Sequence, residues 1–158
     1  MASHARACAT PGVWLGFCVA LAAPTGSASA ALGGDVASVE ADQAQLQGPR
    51  TISVADEFSV HEIQAATGTT VKEYVLNDGR VFAVSWQGPF NPDLRQLLGK
   101  RYEAFAAAAR GQKTLRPGHG TLRVRTQDMV VEAGGHMRAF FGRAYLPELL
   151  PPSLEAAP

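Results

Sequence analysis

Cysteine is nearly absent. The 158-residue chain holds two, Cys8 and Cys18. Both fall in a stretch that reads as a secretory signal. Arg6 stands in its charged opening, an eleven-residue apolar run follows from Val13 to Ala23, and Pro24-Thr25-Gly26 breaks the run. Ala28-Ser29-Ala30 then supplies small residues of the kind a signal peptidase reads, so cleavage is expected after Ala30. The remaining chain would hold no thiol. That excludes disulfides, cysteine nucleophiles and thiolate metal sites. A long apolar run is missing as well. Eleven residues at 1.5 Å rise reach about 17 Å, short of the ~30 Å hydrocarbon core, so no membrane span is expected after cleavage. Paired arginines for a twin-arginine signal are lacking, and the bulky Phe17 before Cys18 argues against a lipid anchor. The expected location is the periplasm or the medium.

Net charge is also missing: 14 basic and 14 acidic residues balance. A near-neutral exported chain is poorly matched to nucleic acid. The balance hides an asymmetry, however. Residues 31–94 hold three basic and nine acidic groups, whereas residues 95–143 hold ten basic and three acidic. Either the stretch from Arg95 to Arg143 makes a basic patch for an anionic partner, or the two halves pack together and neutralise each other.

Hydrophobic spacing divides the chain into a signal (1–30), a lead segment or short helix (31–56), a domain (57–146) and a proline-rich tail (147–158). Val36, Val39 and Leu46 give the lead segment a thin helical stripe, stopped by Gly48-Pro49. Strand patterns cover about 58–64 and 69–76. Asn77-Asp78-Gly79 then signals a hairpin. With Asp78-Gly79 as a two-residue loop, Glu73 faces Val84 and Val71 faces Trp86. One face then carries Val71, Val75, Phe82, Val84 and Trp86, with Glu73 its one polar member. The opposite face, with Lys72, Tyr74 and Ser85, is mixed and partly wet.

The stretch 88–92 (GPFNP) ends the sheet run, and Asp93 can cap a helix over about 93–109, with Gln96 completing a box-like pattern. Leu94, Leu97, Leu98, Tyr102, Phe105 and Ala109 form its apolar stripe. Residues 111–120 read as a loop, and strands are expected at about 121–127, 128–133 and 136–146. Gly134-Gly135 reads as a tight turn pairing Ala133 with His136 and Val131 with Arg138. The pattern predicts an α+β fold: an antiparallel sheet of five or six strands, one face covered by the long helix, with a short N-terminal helix as a further element.

Catalytic signals are sparse. His61, His119 and His136 lack the spacing of a metal-ligand motif. The stretch 116–121 (RPGHGT) lacks the lysine and the following helix of a phosphate loop. Neither Ser59 nor Ser85 sits in a glycine-flanked elbow. Glu73 alone is conspicuous, as an acid on an apolar face. It is either an edge or salt-bridged residue or an acid perturbed by a pocket. No catalytic, cofactor-binding or metal residue is assigned.

Three stretches carry a family resemblance: 31–34 (ALGG), 70–99 (TVKEYVLNDGRVFAVSWQGPFNPDLRQLLG) and 130–151 (VVEAGGHMRAFFGRAYLPELLP). The chain resembles a family of small exported proteins of Gram-negative bacteria recorded only as a domain of unknown function. That resemblance implies export and a single domain, and supplies no activity or site. The expectation is a non-catalytic binding module for an envelope component or another protein. The alternative is a small envelope hydrolase with Glu73 or a histidine at the floor of a deep pocket.

Overall fold

The computed structural model describes residues 32–111 and 121–154. The expected signal, His119, Arg116 and the 112–120 part of the loop lie outside the described residues.

Asp35 opens α1 (Val36–Leu46) by accepting the Ser38 amide at 3.1 Å. Val39 and Asp42 lie one turn apart and are both buried, so α1 sinks one face onto the sheet. Gln47 closes the helix in the left-handed region, ahead of Gly48-Pro49. Four strands follow: β1 (Arg50–Val54), β2 (Phe58–Gln64), β3 (Thr70–Leu76) and β4 (Val81–Gly88). They form a simple antiparallel meander.

Asp93 caps α2 (Leu94–Leu98) through the Arg95 amide at 2.8 Å. Gln96 does not complete a box at this cap; its amide reaches across to α1. A 3-10 turn at Gly99–Arg101 separates α2 from α3 (Tyr102–Gly111). The expected helix is thus real but broken at Gly99, whose φ of 48° ends α2. β5 (Leu122–Arg125), β6 (Val130–His136) and β7 (Ala139–Tyr145) complete the sheet.

The described strands make one seven-stranded sheet in the order β1-β2-β3-β4-β7-β6-β5. Five or six strands were expected, and the addition is β1. Its alternation of Arg50, Ile52 and Val54 is short and falls inside the lead segment. α1, α2 and α3 share a core with one face only. Val39, Leu97, Leu98 and Phe105 meet Val71, Val75, Val84, Trp86, Val131 and Ala144 there. Leu32 joins them, and the Leu32, Gly33 and Val81 amides bond to Leu97, Val81 and Gly34 carbonyls. The start of the described chain is therefore stitched to α2 and β4.

Two registers differ from expectation. The β3–β4 loop holds three residues, Asn77 to Gly79, because the Leu76 amide bonds to the Arg80 carbonyl at 2.9 Å. Gly79 takes φ +88°, as the last position of such a loop requires. Phe82 then bulges, so Val75 faces Val81 while Tyr74 faces Ala83. Loop and bulge cancel, and Glu73–Val84 and Val71–Trp86 pair as expected. Phe82, however, turns away from the helices and packs against Phe58 and Tyr74, at ring distances of 5.7 and 6.0 Å.

The second difference is larger. Gly134 and Gly135 are strand residues, and the chain reverses at Met137-Arg138. His136 faces Ala139, and Val131 faces Ala144 rather than Arg138. Core packing fixes this register: Val131 and Ala144 are both fully buried beneath the helices. The expected register would have set Arg138 opposite Val131. Gly135, at φ +124°, leaves no room for a Cβ, which would stand 2.2 Å from the Ala139 carbonyl oxygen. The glycine pair allows close packing within the β6–β7 ladder rather than forming the turn.

The tail passes through a 3-10 turn at Pro147–Leu149 and reaches the β1–β2 turn, where the Ser153 amide donates to Glu57 at 3.2 Å.

Candidate functional site

Glu73 is the first place to look. It sits mid-strand on β3 and is completely enclosed, with 0% exposure. His61 on β2 stands directly opposite and is also buried. Asp42 comes down from α1 and shares a hydrogen bond with Glu73. Gln96 on α2 donates to the other side of Asp42 at 2.6 Å. Arg50, at the start of β1, completes the group and bridges to Glu40 on α1 at 3.8 Å. Burial pushes the Glu73 carboxyl up to about 9, helped by the Asp42 charge and its hydrogen bond and opposed by Arg50. Glu73 is thus a neutral acid at pH 7 that can donate to Asp42. Burial, then Arg50, holds the His61 imidazole below its ordinary range. The Ser59 hydroxyl lies 3.1 Å from its Nε2.

This arrangement joins α1, α2 and the sheet. Among the described residues it leaves a substrate no approach. Four cavities along the surface have neither Glu73 nor a histidine in their walls. The perturbed acid is present, as its odd place in the sequence allowed, and it is fully enclosed. His136 lies exposed at the end of β6, beside the Met137 carbonyl. It is four strand spacings from His61, roughly 19 Å, so these two histidines do not converge. No group of three or more metal-binding side chains gathers among the described residues.

The second place is the sheet face on which no helix lies among the described residues. Strand alternation and register line up one row across it: Glu62 (β2), Lys72 (β3), Ser85 (β4), Arg143 (β7), Glu132 (β6) and Arg123 (β5). Lys72 pairs with Glu62 at 3.1 Å. Glu132 holds Arg143 through Nε at 2.7 Å and Arg123 through Nε at 3.1 Å. The Tyr74 hydroxyl lies 3.3 Å from that of Ser85. Two hollows meet at Ser85. One, of about 580 Å³, is walled by Glu62, Thr70, Lys72, Tyr74 and Gln87. The other, of about 510 Å³, is walled by Arg123, Glu132, Phe141 and Arg143. Towards the other end of the strands this face turns apolar, with Phe58, Tyr74 and Phe82 closing on one another.

A further cavity of about 690 Å³ lies between the β1–β2 turn and the tail. Its charged groups are Asp56 and Glu57, and Glu57 already accepts from Ser153.

The stretch from Arg95 to Arg143 does not make a single patch. Arg95, Lys100, Arg101 and Arg110 belong to the helical side. There Arg95 bonds Glu103 and lies 4.4 Å from the Tyr102 ring centre, while Arg101 bonds Asp128 and the Leu32 carbonyl. Arg123, Arg125 and Arg143 belong to the open face. Arg138 sits in the β6–β7 turn. Nor do these ion pairs join one half to the other. Arg50–Glu40, Lys72–Glu62 and Arg80–Asp78 lie within the acidic half, and Arg95–Glu103, Arg101–Asp128 and Glu132 with its two arginines lie within the basic half.

These features define an α+β protein with a seven-stranded antiparallel sheet among the described residues, helices on one face and a charged row on the other. The chain belongs to the DUF2844 family, proteins of unknown function, whose profile matches residues 28–157. No curated protein and no solved structure matches it. No helix among the described residues is long and apolar enough to cross a membrane.

Proposed function

We propose that the protein is an exported, non-catalytic binding module that meets its partner through the open sheet face. In this reading residues 1–30 are a Sec-type signal cleaved after Ala30, and the protein works in the periplasm or the medium. One observation carries the reading. A row of charges and hydroxyls crosses six adjacent strands, β2 to β5 in sheet order, with two hollows meeting at Ser85. Helices bury the opposite face, where the strands carry mostly aliphatic side chains. A sheet that hides one face and lines the other with ordered ion pairs presents a rigid surface for recognition.

In-cell photocrosslinking tests this. A photoreactive residue replacing Ser85 should give discrete adducts in the exporting cell, weakened by salt. The same residue replacing Arg110, on α3, should give none. Adducts confined to position 110 would place the contact on the helices and end the open-face reading.

A further inference from the structure

The two edges of the sheet are built differently. Among the described strands, β5 closes one edge and β1 the other, each bonded to a single neighbour. The Thr126 amide bonds to the Met129 carbonyl, so on β5 the peptide groups of Arg123 and Arg125 point outward. Long charged side chains at such positions guard a sheet edge against a further strand. β1 lacks that guard. The Gln64 amide bonds to the Pro49 carbonyl and the Ala55 amide to that of Phe58, so Thr51 and Ser53 turn their peptide groups towards β2. Those of Arg50, Ile52 and Val54 point outward. Ile52 and Val54 also expose their side chains, by 50% and 81%, on the helix side of the sheet. The Arg50 guanidinium leans back to Glu40 on α1. An unpaired ladder and two bare aliphatic side chains thus share one edge.

The outward groups are symmetric about Ile52, and the side chains suit that symmetry. A second copy, turned about a twofold axis through Ile52 and normal to the sheet, sets Ile52 against Ile52 and Val54 against Arg50, each pair exchanging both its amide bonds. Arg50 keeps its charge on Glu40 and lays its aliphatic stem beside Val54. Thr51 then meets Ser53 on the other face, hydroxyl beside hydroxyl. α1 packs over β2, one strand in from the edge, so the aliphatic side chains of both copies fill the trough between two α1 helices. A strand from an unrelated protein would find the same amides, but only a second copy is matched at every position by this edge itself. We propose that the protein pairs with itself through β1, joining two sheets into one antiparallel sheet with both open faces on the same side. The pairing stands apart from the open-face reading, since it uses none of the charged row.

The test uses the full chain purified after export, carrying Cys8→Ser and Cys18→Ser so that no native thiol competes. Sedimentation velocity should show reversible dimers forming as concentration rises through the micromolar range, since so short an edge makes a small interface. Ile52→Pro should stay monomeric, because it removes an outward amide that β1–β2 pairing does not use and blocks the incoming strand. Circular dichroism checks its fold. Two single-cysteine variants read the register. Ile52→Cys should oxidise to a disulfide dimer, its counterpart's Cα standing about 5.5 Å away. Val54→Cys should not, although it is the more exposed position, because its counterpart stands about 14 Å away. Dimers of folded Ile52→Pro, or crosslinking at position 54 as fast as at 52, would overturn the proposal. Monomers at every concentration would leave the edge to a strand of another protein and overturn it too. If Ile52→Pro fails to fold, the two cysteine variants decide.

Discussion

At the scale of single residues, Glu73 explains the most. An acid among aliphatic neighbours is costly when charged, and the fold avoids that cost by keeping it protonated against Asp42. The folded carboxyl sits at about 9, against 4.5 for an ordinary one. Folding therefore takes up a proton between those values. The stability this group contributes is complete below pH 4.5 and is lost as pH rises towards 9. Glu73→Gln keeps a donor for Asp42 and removes the titration. The variant should gain on the order of 4 kcal/mol over the parent at pH 8 and little at pH 4.5, as denaturant titration at both values would show. An equal gain at both would mean that Glu73 is charged in the folded protein. The oddness of Glu73 was legible from alternation alone, because Val71, Val75 and Val84 define its face. Its partners were not, since Asp42 and Gln96 come from helices 31 and 23 residues away.

At the scale of elements, legibility depended on whether local and long-range signals agreed. The apolar stripe from Leu94 to Ala109 and the Asp93 cap are local, and the helix formed where they placed it. The Asp78-Gly79 signal was local too. It locates the hairpin but not the third loop residue or the compensating bulge, and so puts Phe82 on the wrong face. Gly134-Gly135 misled outright. The glycine-pair rule favoured a turn there, but the burial of Val131 and Ala144 sets the register and moves the turn to Met137-Arg138. The consequence is testable. Arg138 takes φ +65°, a region that costs a side-chain-bearing residue about 1 kcal/mol or more. Arg138→Gly should relieve this, less the chain entropy of glycine, and raise stability by up to about 1 kcal/mol, a few degrees in a melting scan. A clear loss would mean that the turn is elsewhere.

At the scale of the molecule, neither the open row nor the splitting of the basic stretch could be read from the chain. The row draws one residue from each of six strands, and its order depends on β7 entering beside β4 while β5 goes to the far edge. Nothing local encodes that insertion. Once it is made, residues 62 and 123 end five strands apart on the same line. The alternation of the strands did announce that one side would be wet, and Lys72, Tyr74 and Ser85 lie on it as expected. Cysteine scanning tests this two-sidedness most directly, because the described residues contain no cysteine of their own. Lys72→Cys and Arg143→Cys should react with a maleimide at rates near those of a free thiol. Val71→Cys and Ala144→Cys, one position away on the same strands, should be protected as long as the protein is folded. Protection at all four positions would mean that the charged face is covered, and the central claim of an open recognition surface would be contradicted.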